Sequence, residues 1–231
     1  MPNSVTPDLL TGRSEMHLTL LPGSSARIHR AVAEPFERLR KKAHTAGFEL
    51  DVVSGFRSFE AQVGIWNAKA AGKRPVLDPA GKPLDIHRLS PKELVYSILH
   101  WSALPGASRH HWGTDIDVID RLSVPPGYTV QLVEAETRRG GMFHLLHEWL
   151  DRHMEEEGFF RPYQKDLGGV QPERWHLSHA PTARPLYAAH TVEQLRAALQ
   201  NSSLTLKDTV LAELPEIFDR FFLRISDGPQ V

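Results

Sequence analysis

Cysteine does not occur anywhere in the 231 residues. That excludes disulfide stapling, a thiol nucleophile and thiolate metal ligands, so any bound metal must be held by histidine or carboxylate. A surplus of charge is missing too: 27 Lys and Arg face 28 Asp and Glu, a formal net charge of -1. Such a chain has no global pull towards nucleic acid or an anionic membrane. No segment is apolar enough to span a bilayer. The opening Met1-Pro2-Asn3-Ser4-Val5-Thr6-Pro7-Asp8 lacks the basic region and long apolar run of a signal peptide. Internal repeats and low-complexity stretches are also absent. What remains, 41% apolar and 24% charged residues, is the composition of a folded globular chain. Its length suits one domain, or one domain with a small appendage.

Residues 1–25 carry little periodicity and read as an N-terminal tail with a short extended piece at His17–Leu21. From about 26 to 46, Ile28, Val32, Phe36, Leu39 and Ala43 recur at helical spacing, and Gly47 ends the run. Phe48–Val53 alternates like a strand, Ser54-Gly55-Phe56-Arg57-Ser58 makes a turn, and Ser58 opens a helix with Gln62 and Trp66 on one face. Residues 72–88, rich in Gly, Pro and Lys, form a loop. Ser90-Pro91-Lys92-Glu93 then starts a helix that Ala103–Ala107 breaks. A short strand is expected at Tyr128–Leu132, followed by a helix through Phe143, Leu146, Leu150 and Met154 that stops at Gly158. Thr191-Val192-Glu193-Gln194 is a capping box, and the helical spacing of Leu206, Val210, Leu211 and Leu214 is interrupted by Pro215. Ile217, Phe218, Phe221 and Phe222 make a further apolar face. Residues 186–231 thus form a helical C-terminal extension, which either packs on the domain or offers that face to a protein partner or a second copy. With no strand–helix rhythm, the pattern points to an α+β fold: a small, mainly antiparallel sheet with flanking helices.

The chemistry concentrates in Ser108-Arg109-His110-His111-Trp112-Gly113-Thr114-Asp115-Ile116-Asp117-Val118-Ile119-Asp120. Asp115 and Asp117 alternate with Ile116 and Val118, as in a strand with one liganding face. Gly113 lets the chain turn, so that His110 and Asp117 can point at one object. A second block, Glu173-Arg174-Trp175-His176-Leu177-Ser178-His179, supplies another histidine and a carboxylate. His110, Asp117 and His176 as ligands, with Glu173 as base, meet the needs of a catalytic zinc site. His111 competes with His110 for the ligand role. Asp115 could orient a histidine, bind a substrate amine or merely be solvated. His179 either lines the pocket as a donor or lies outside it, and Trp112 and Trp175 could wall the site. Arg57 suits a carboxylate clamp, with a solvated arginine as the plainer alternative, and Ser108 either donates a hydroxyl or caps local backbone.

Ser108-x-His110-x-x-Gly113-x-Asp115-x-Asp117 with Glu173-x-Trp175-His176 resembles the zinc D-alanyl-D-alanine carboxypeptidases of the VanY and peptidase M15 group. Ser54-Gly55-Phe56-Arg57-Ser58 with Gln62 resembles that family's upstream substrate-binding block. The joint pattern covers roughly residues 26–182, so 26–185 is read as the zinc peptidase domain. The resemblance implies a DD-peptidase/hedgehog-like fold and one Zn2+ per chain on His110, Asp117 and His176. It further implies Glu173 as general base, and Arg57, Ser108, Gln62 and Asp115 as substrate-binding residues. Asp115 departs from the small residue usual at its position, and the interval Asn67–Pro105 is longer than in a minimal family domain.

The implied activity is removal of the terminal D-Ala from peptidoglycan stem peptides or their precursors. LD-carboxypeptidase, L-Ala-D-Glu endopeptidase and D-Ala-D-Ala dipeptidase activities use the same machinery. A zinc-stabilised module that only binds cell-wall peptides is the non-enzymatic alternative, disfavoured by Glu173, since a structural metal needs no base. Periplasm or cell envelope is the implied location, and the missing leader pattern keeps the cytoplasm open.

Overall fold

Thr6 accepts a hydrogen bond from the backbone N–H of Leu9 and opens α1, Pro7–Leu10. Strand β1 (Leu18–Leu20) then pairs antiparallel with β2 (Arg27–His29). The segment read as a tail is therefore docked: Leu9, Leu10 and Leu21 are buried, and Trp112 Nε1 donates to the Leu10 carbonyl at 3.0 Å. The extended piece expected at His17–Leu21 is β1, whereas Leu9 and Leu10 of α1 make too short a cluster to show a period in the sequence. The structure, a computed structural model, describes residues 5–227; residues 1–4 of the expected tail and 228–231 of the expected extension lie outside the described residues.

His29 caps α2 (Arg30–Thr45), which buries the expected stripe of Val32, Phe36, Leu39 and Ala43. Strand β3 (Leu50–Ser54) is followed by α3 (Phe59–Ala70), capped by Ser58, and by α4 (Pro91–Leu99), opened by a Ser90/Glu93 capping box. Next come β4 (Asp115–Asp120), a short α5 (Glu134–Thr137) and α6 (His144–His153). The strand expected at 128–132 does not form. Glu136 instead accepts from the Tyr128 hydroxyl and from the backbone N–H groups of Gln131 and Val133, and Leu132 sits at φ 53°, a left-handed geometry foreign to strands. Strands β5 (Phe159–Phe160) and β6 (His176–His179) precede α7 (Ala180–Ala189), α8 (Val192–Gln200) and α9 (Lys207–Phe218).

The four strands β3-β4-β6-β5 form one sheet in that order, every neighbour antiparallel. Ile116, Val118 and Leu177 belong to an apolar cluster with Phe36 and Leu39 of α2 and Leu146 and Leu150 of α6. By strand alternation Asp115, Asp117, His176 and Ser178 share the opposite face. A second core, separate from the first, joins α3, α4, α8 and α9 through Trp66, Val95, Leu195, Val210 and Leu214.

The C-terminal helices are part of that second core. Trp66 Nε1 donates to the Thr205 carbonyl at 3.0 Å, and Asn67 exchanges side-chain hydrogen bonds with Ser203 and Thr205. Phe222 stacks on Tyr187 at 5.3 Å and meets Trp112 edge-on at 6.1 Å. The aromatic face that could have served a partner is covered by the chain itself. The expected boundary at 185/186 falls inside α7, and Pro215 does not interrupt α9. The Leu211 carbonyl, which a residue at 215 would normally serve, accepts from Arg196 Nη1 at 3.1 Å instead. Among the described residues no helix is long and apolar enough to cross a membrane.

Because Phe222 is 3% exposed at the joint between the extension and Trp112, Phe222→Ala should destabilise the whole chain by about 3–5 kcal/mol. In urea unfolding this appears as one transition at lower midpoint; a separate early transition would instead mark the extension as an independent unit.

Candidate active site

Arg109–Trp112 form a single 3-10 turn that ends at Gly113, with φ 66°. A Cβ at Gly113 would lie 2.7 Å from both the His29 backbone nitrogen and Leu18 Cδ2, so only glycine allows this reversal beside the β1–β2 hairpin. The reversal carries the chain from His110 into β4. There the register sets Asp117 opposite His176 and Asp115 opposite Ser178. Ligand atoms of His110, Asp117 and His176, all buried, come within 4.8 Å of one another, the only such group among the described residues.

Each histidine has one nitrogen tied back and the other aimed inward. His110 Nδ1 donates to the Gly55 carbonyl at 2.9 Å, leaving Nε2 3.4 Å from Asp117 Oδ2. His176 Nε2 lies 3.0 Å from Asp115 Oδ1, while Nδ1 is 3.1 Å from Asp117 Oδ1 and 3.7 Å from Glu173 Oε2. Two imidazole nitrogens and a carboxylate converging in a buried pocket are a donor set suited to Zn2+. Burial works against a charged His176, but its bonds to Asp115 and Asp117 prevail and raise its pKa to about 10. Asp117 is likewise held below the usual carboxylate range, its burial outweighed by His110 and His176.

Asp115, expected among the substrate-binding residues, lies behind the metal ligands instead. It is fully buried, takes Arg109 Nε at 2.7 Å and Thr114 Oγ1 at 2.6 Å, and accepts from Ser178 Oγ at 3.1 Å. Arg109 also donates to Ser178 Oγ at 2.7 Å and packs 5.0 Å over Trp112. Nothing in the local sequence singled out Arg109. Only the fold shows that it neutralises the carboxylate that orients His176.

Glu173 enters from the turn before β6, where its N–H donates to the Tyr163 carbonyl at 2.9 Å and its carbonyl accepts from His176 N at 3.1 Å. Burial pushes its carboxyl up to about 7, against the pull of His176. On the other side, Arg57 Nη1 donates to Gln62 Oε1 at 2.9 Å and Nη2 to Ser54 Oγ at 3.0 Å. Gln62 is fully buried and its Nε2 donates to the Ala103 carbonyl at 2.7 Å. With one bond at each end of its amide and no exposed surface, Gln62 positions Arg57 from within the core. A register shift between Val52 and Ser54 brings Ser54 opposite Asp117, which aims the following turn at the site. Ser108 makes no side-chain cap bond.

His111 is not a ligand: its Nδ1 donates to the Arg57 carbonyl at 2.6 Å and its Nε2 accepts from Gly106 N at 2.9 Å, stapling the turn from beneath. His179 points to the opposite sheet face, against Phe159 and Thr182. Trp112 is a core residue, with no exposure. Tyr163, whose role the sequence did not reveal, places its ring 5.0 Å from that of His176.

Between neutral pH and its raised value, metal-free His176 is doubly protonated, whereas coordination through Nδ1 leaves only the Nε2 proton. Zinc uptake should therefore release about one proton from this ring. Calorimetry in buffers of different ionisation enthalpy measures the number. Asp115→Asn should weaken zinc by about 10- to 100-fold and, by leaving Arg109 without its charge partner, lower the melting temperature.

Comparison with known proteins bears on the fold and the family. The chain is 42% identical over 103 residues to an uncharacterized protein of Haemophilus influenzae, covering 43% of this chain and 70% of that one. A second uncharacterized protein of that organism is 30% identical over 122 residues, 52% of this chain and 93% of the other. The structure of VanYB in complex with D-alanine-D-alanine superposes with TM-score 0.53 at 20% identity, covering 87% of this chain and 91% of that one. The LdcB LD-carboxypeptidase does so with TM-score 0.53 at 20% identity, over 90% and 80%. These likenesses show a shared α+β fold. Residues 25–182 match the family described as "VanY: D-alanyl-D-alanine carboxypeptidase", and the chain belongs to that family, as a zinc-dependent peptidase acting on peptidoglycan stem peptides.

Proposed function

We propose that the chain is a D-alanyl-D-alanine carboxypeptidase that removes one terminal D-alanine from a stem peptide. The observation that carries this reading is the state of Arg57. Its two hydrogen bonds go to neutral acceptors, Gln62 and Ser54, so Nε and one hydrogen on each terminal nitrogen stay available for a carboxylate. Its charge also acts on Glu173 and Asp117. A free C-terminus held there lies near the reacting centre, which favours cutting next to the chain end.

The ligands are His110, Asp117 and His176. Zinc in such a donor set supplies Lewis-acid polarisation of a carbonyl and acidification of water. Glu173 takes a proton from the attacking water as the C–O bond forms, then passes it to the departing alanine nitrogen as the C–N bond breaks. Burial suits it to this exchange, because a carboxyl raised to about 7 can hold and release a proton near neutral pH. Ser108 and Arg57 bind the terminal carboxylate, and Gln62 keeps Arg57 in place.

The test is mass spectrometry of products from a pentapeptide ending D-Ala-D-Ala, the corresponding tetrapeptide and the free dipeptide. Loss of one alanine from the pentapeptide is expected. Cleavage of the tetrapeptide alone would make the enzyme an LD-carboxypeptidase, and cleavage of the dipeptide alone a dipeptidase. Zinc binding without cleavage of any peptide would make it a binding module. Glu173→Gln should retain zinc and lose about 10²- to 10⁴-fold in kcat. Gln62→Leu should act mainly on KM, raising it about tenfold as Arg57 loses a charge-assisted hydrogen bond; an equal loss in kcat alone would assign Gln62 to the chemistry.

A further inference from the structure

The last turn of α3 carries a cation for which the reaction above has no use. Gln62, Trp66 and Lys69 follow one another at helical spacing. Gln62 holds Arg57, and Trp66 is fully buried, so Lys69 continues the face that leads away from the Arg57 clamp. Lys69 is half-buried, yet among the described residues its ammonium makes no hydrogen bond or ion pair. Its ammonium is near enough to Glu173 to feel that charge, while burial lowers its pKa. Beyond α3 the chain folds back: Lys73 N and Arg74 N both donate to the Ala68 carbonyl, at 2.8 and 3.1 Å. Arg74 is thereby brought beside the same helix end, exposed and likewise unpaired among the described residues, with its charge acting on both Arg57 and Lys69.

Arg74 thus lies within electrostatic reach of both Arg57 and Lys69, and among the described residues neither Lys69 nor Arg74 forms an ion pair with an acid. A half-buried ammonium without an acceptor is unfavourable in the free protein. A bound anion would relieve it. The terminal carboxylate of a substrate is met by Arg57 and leaves the other two unengaged. We propose that Lys69 and Arg74 form a second anion subsite, which receives a non-terminal carboxylate of the substrate peptide and selects free-acid stem peptides over amidated ones. This rests on the carboxypeptidase reading. Stem peptides offer such a group on the γ-linked glutamate and, where diaminopimelate is present, on its side chain; amidation of either removes the charge and nearly preserves the shape.

Four pentapeptides ending D-Ala-D-Ala decide the matter: both acids free, either one amidated, and both amidated. Their affinities are measured by calorimetry with zinc-loaded Glu173→Gln protein, and their kcat and KM with the zinc-loaded wild type. The expected result is about tenfold weaker binding on amidation at one position, seen in KM rather than kcat, and that position identifies the carboxylate. In the same binding assay, Lys69→Met should bring the acid peptide down to its amide, and Lys69→Arg should keep the preference. Equal affinity for all four peptides overturns the subsite, as does a Lys69→Met that weakens acid and amide alike. Either outcome leaves the carboxypeptidase reading standing if the wild type releases alanine. If no alanine is released, that reading falls, while the affinities still decide the subsite.

Discussion

Two carboxylates on one face of a buried strand are the constraint to which the rest of the structure answers. Asp115 and Asp117 are both buried in β4, where unpaired negative charge is prohibitively unfavourable. Each is answered differently. Asp115 is neutralised from within by Arg109 and spends its remaining oxygen capacity on Thr114, Ser178 and His176. Among the described residues Asp117 is bonded only by histidines, His110 through a bare Nε2 and His176 through an Nδ1 whose proton a metal can replace. One carboxylate is thus structural and the other is kept for a cation, although they are two residues apart.

His176 links them. Its ring spans both carboxylates, so the charge of Arg109 reaches the metal position through Asp115 and the imidazole. The ring of His110 is held just as firmly by a backbone carbonyl, that of Gly55, and Gly55 belongs to the same turn that carries Arg57. A Cβ on Gly55 would lie 2.5 Å from the Arg27 carbonyl, so the clamp, the ligand and the β1–β2 hairpin are locked together at this point. Metal position and substrate clamp are therefore built from one set of contacts.

Two cores keep that set rigid. The sheet packs its apolar face on α2 and α6, and the helices α3, α4, α8 and α9 form the second cluster. Residues of the site come from both bodies: the ligands from the sheet and the turn before it, the Arg57 support from α3. The C-terminal helices, by completing the second core around Trp66 and Trp112, help to fix α3 and hence Gln62.

Much of this was legible in the sequence because it is local. Helical spacing at Val32–Ala43, the Ser58 and Ser90 caps, the alternation of Asp115–Val118 and the turn at Gly113 depend on neighbours a few residues away, and the structure has them where the pattern puts them. The metal-ligating residue types were equally readable, since in a chain without cysteine few groups can hold zinc. What the sequence could not decide are questions of partner and direction. Tyr128–Leu132 has the composition of a strand, but Glu136 claims its donors first. Asp115 and Gln62 look like substrate contacts until the fold turns them towards Arg109 and Arg57. The sequence by itself determined the ligand types, the α+β character and the main helices, because these follow from periodicity and short-range chemistry. Tertiary structure alone decided which nitrogen of each histidine faces the metal, which carboxylate is neutralised and where the C-terminal helices dock, because each depends on a residue distant in the chain.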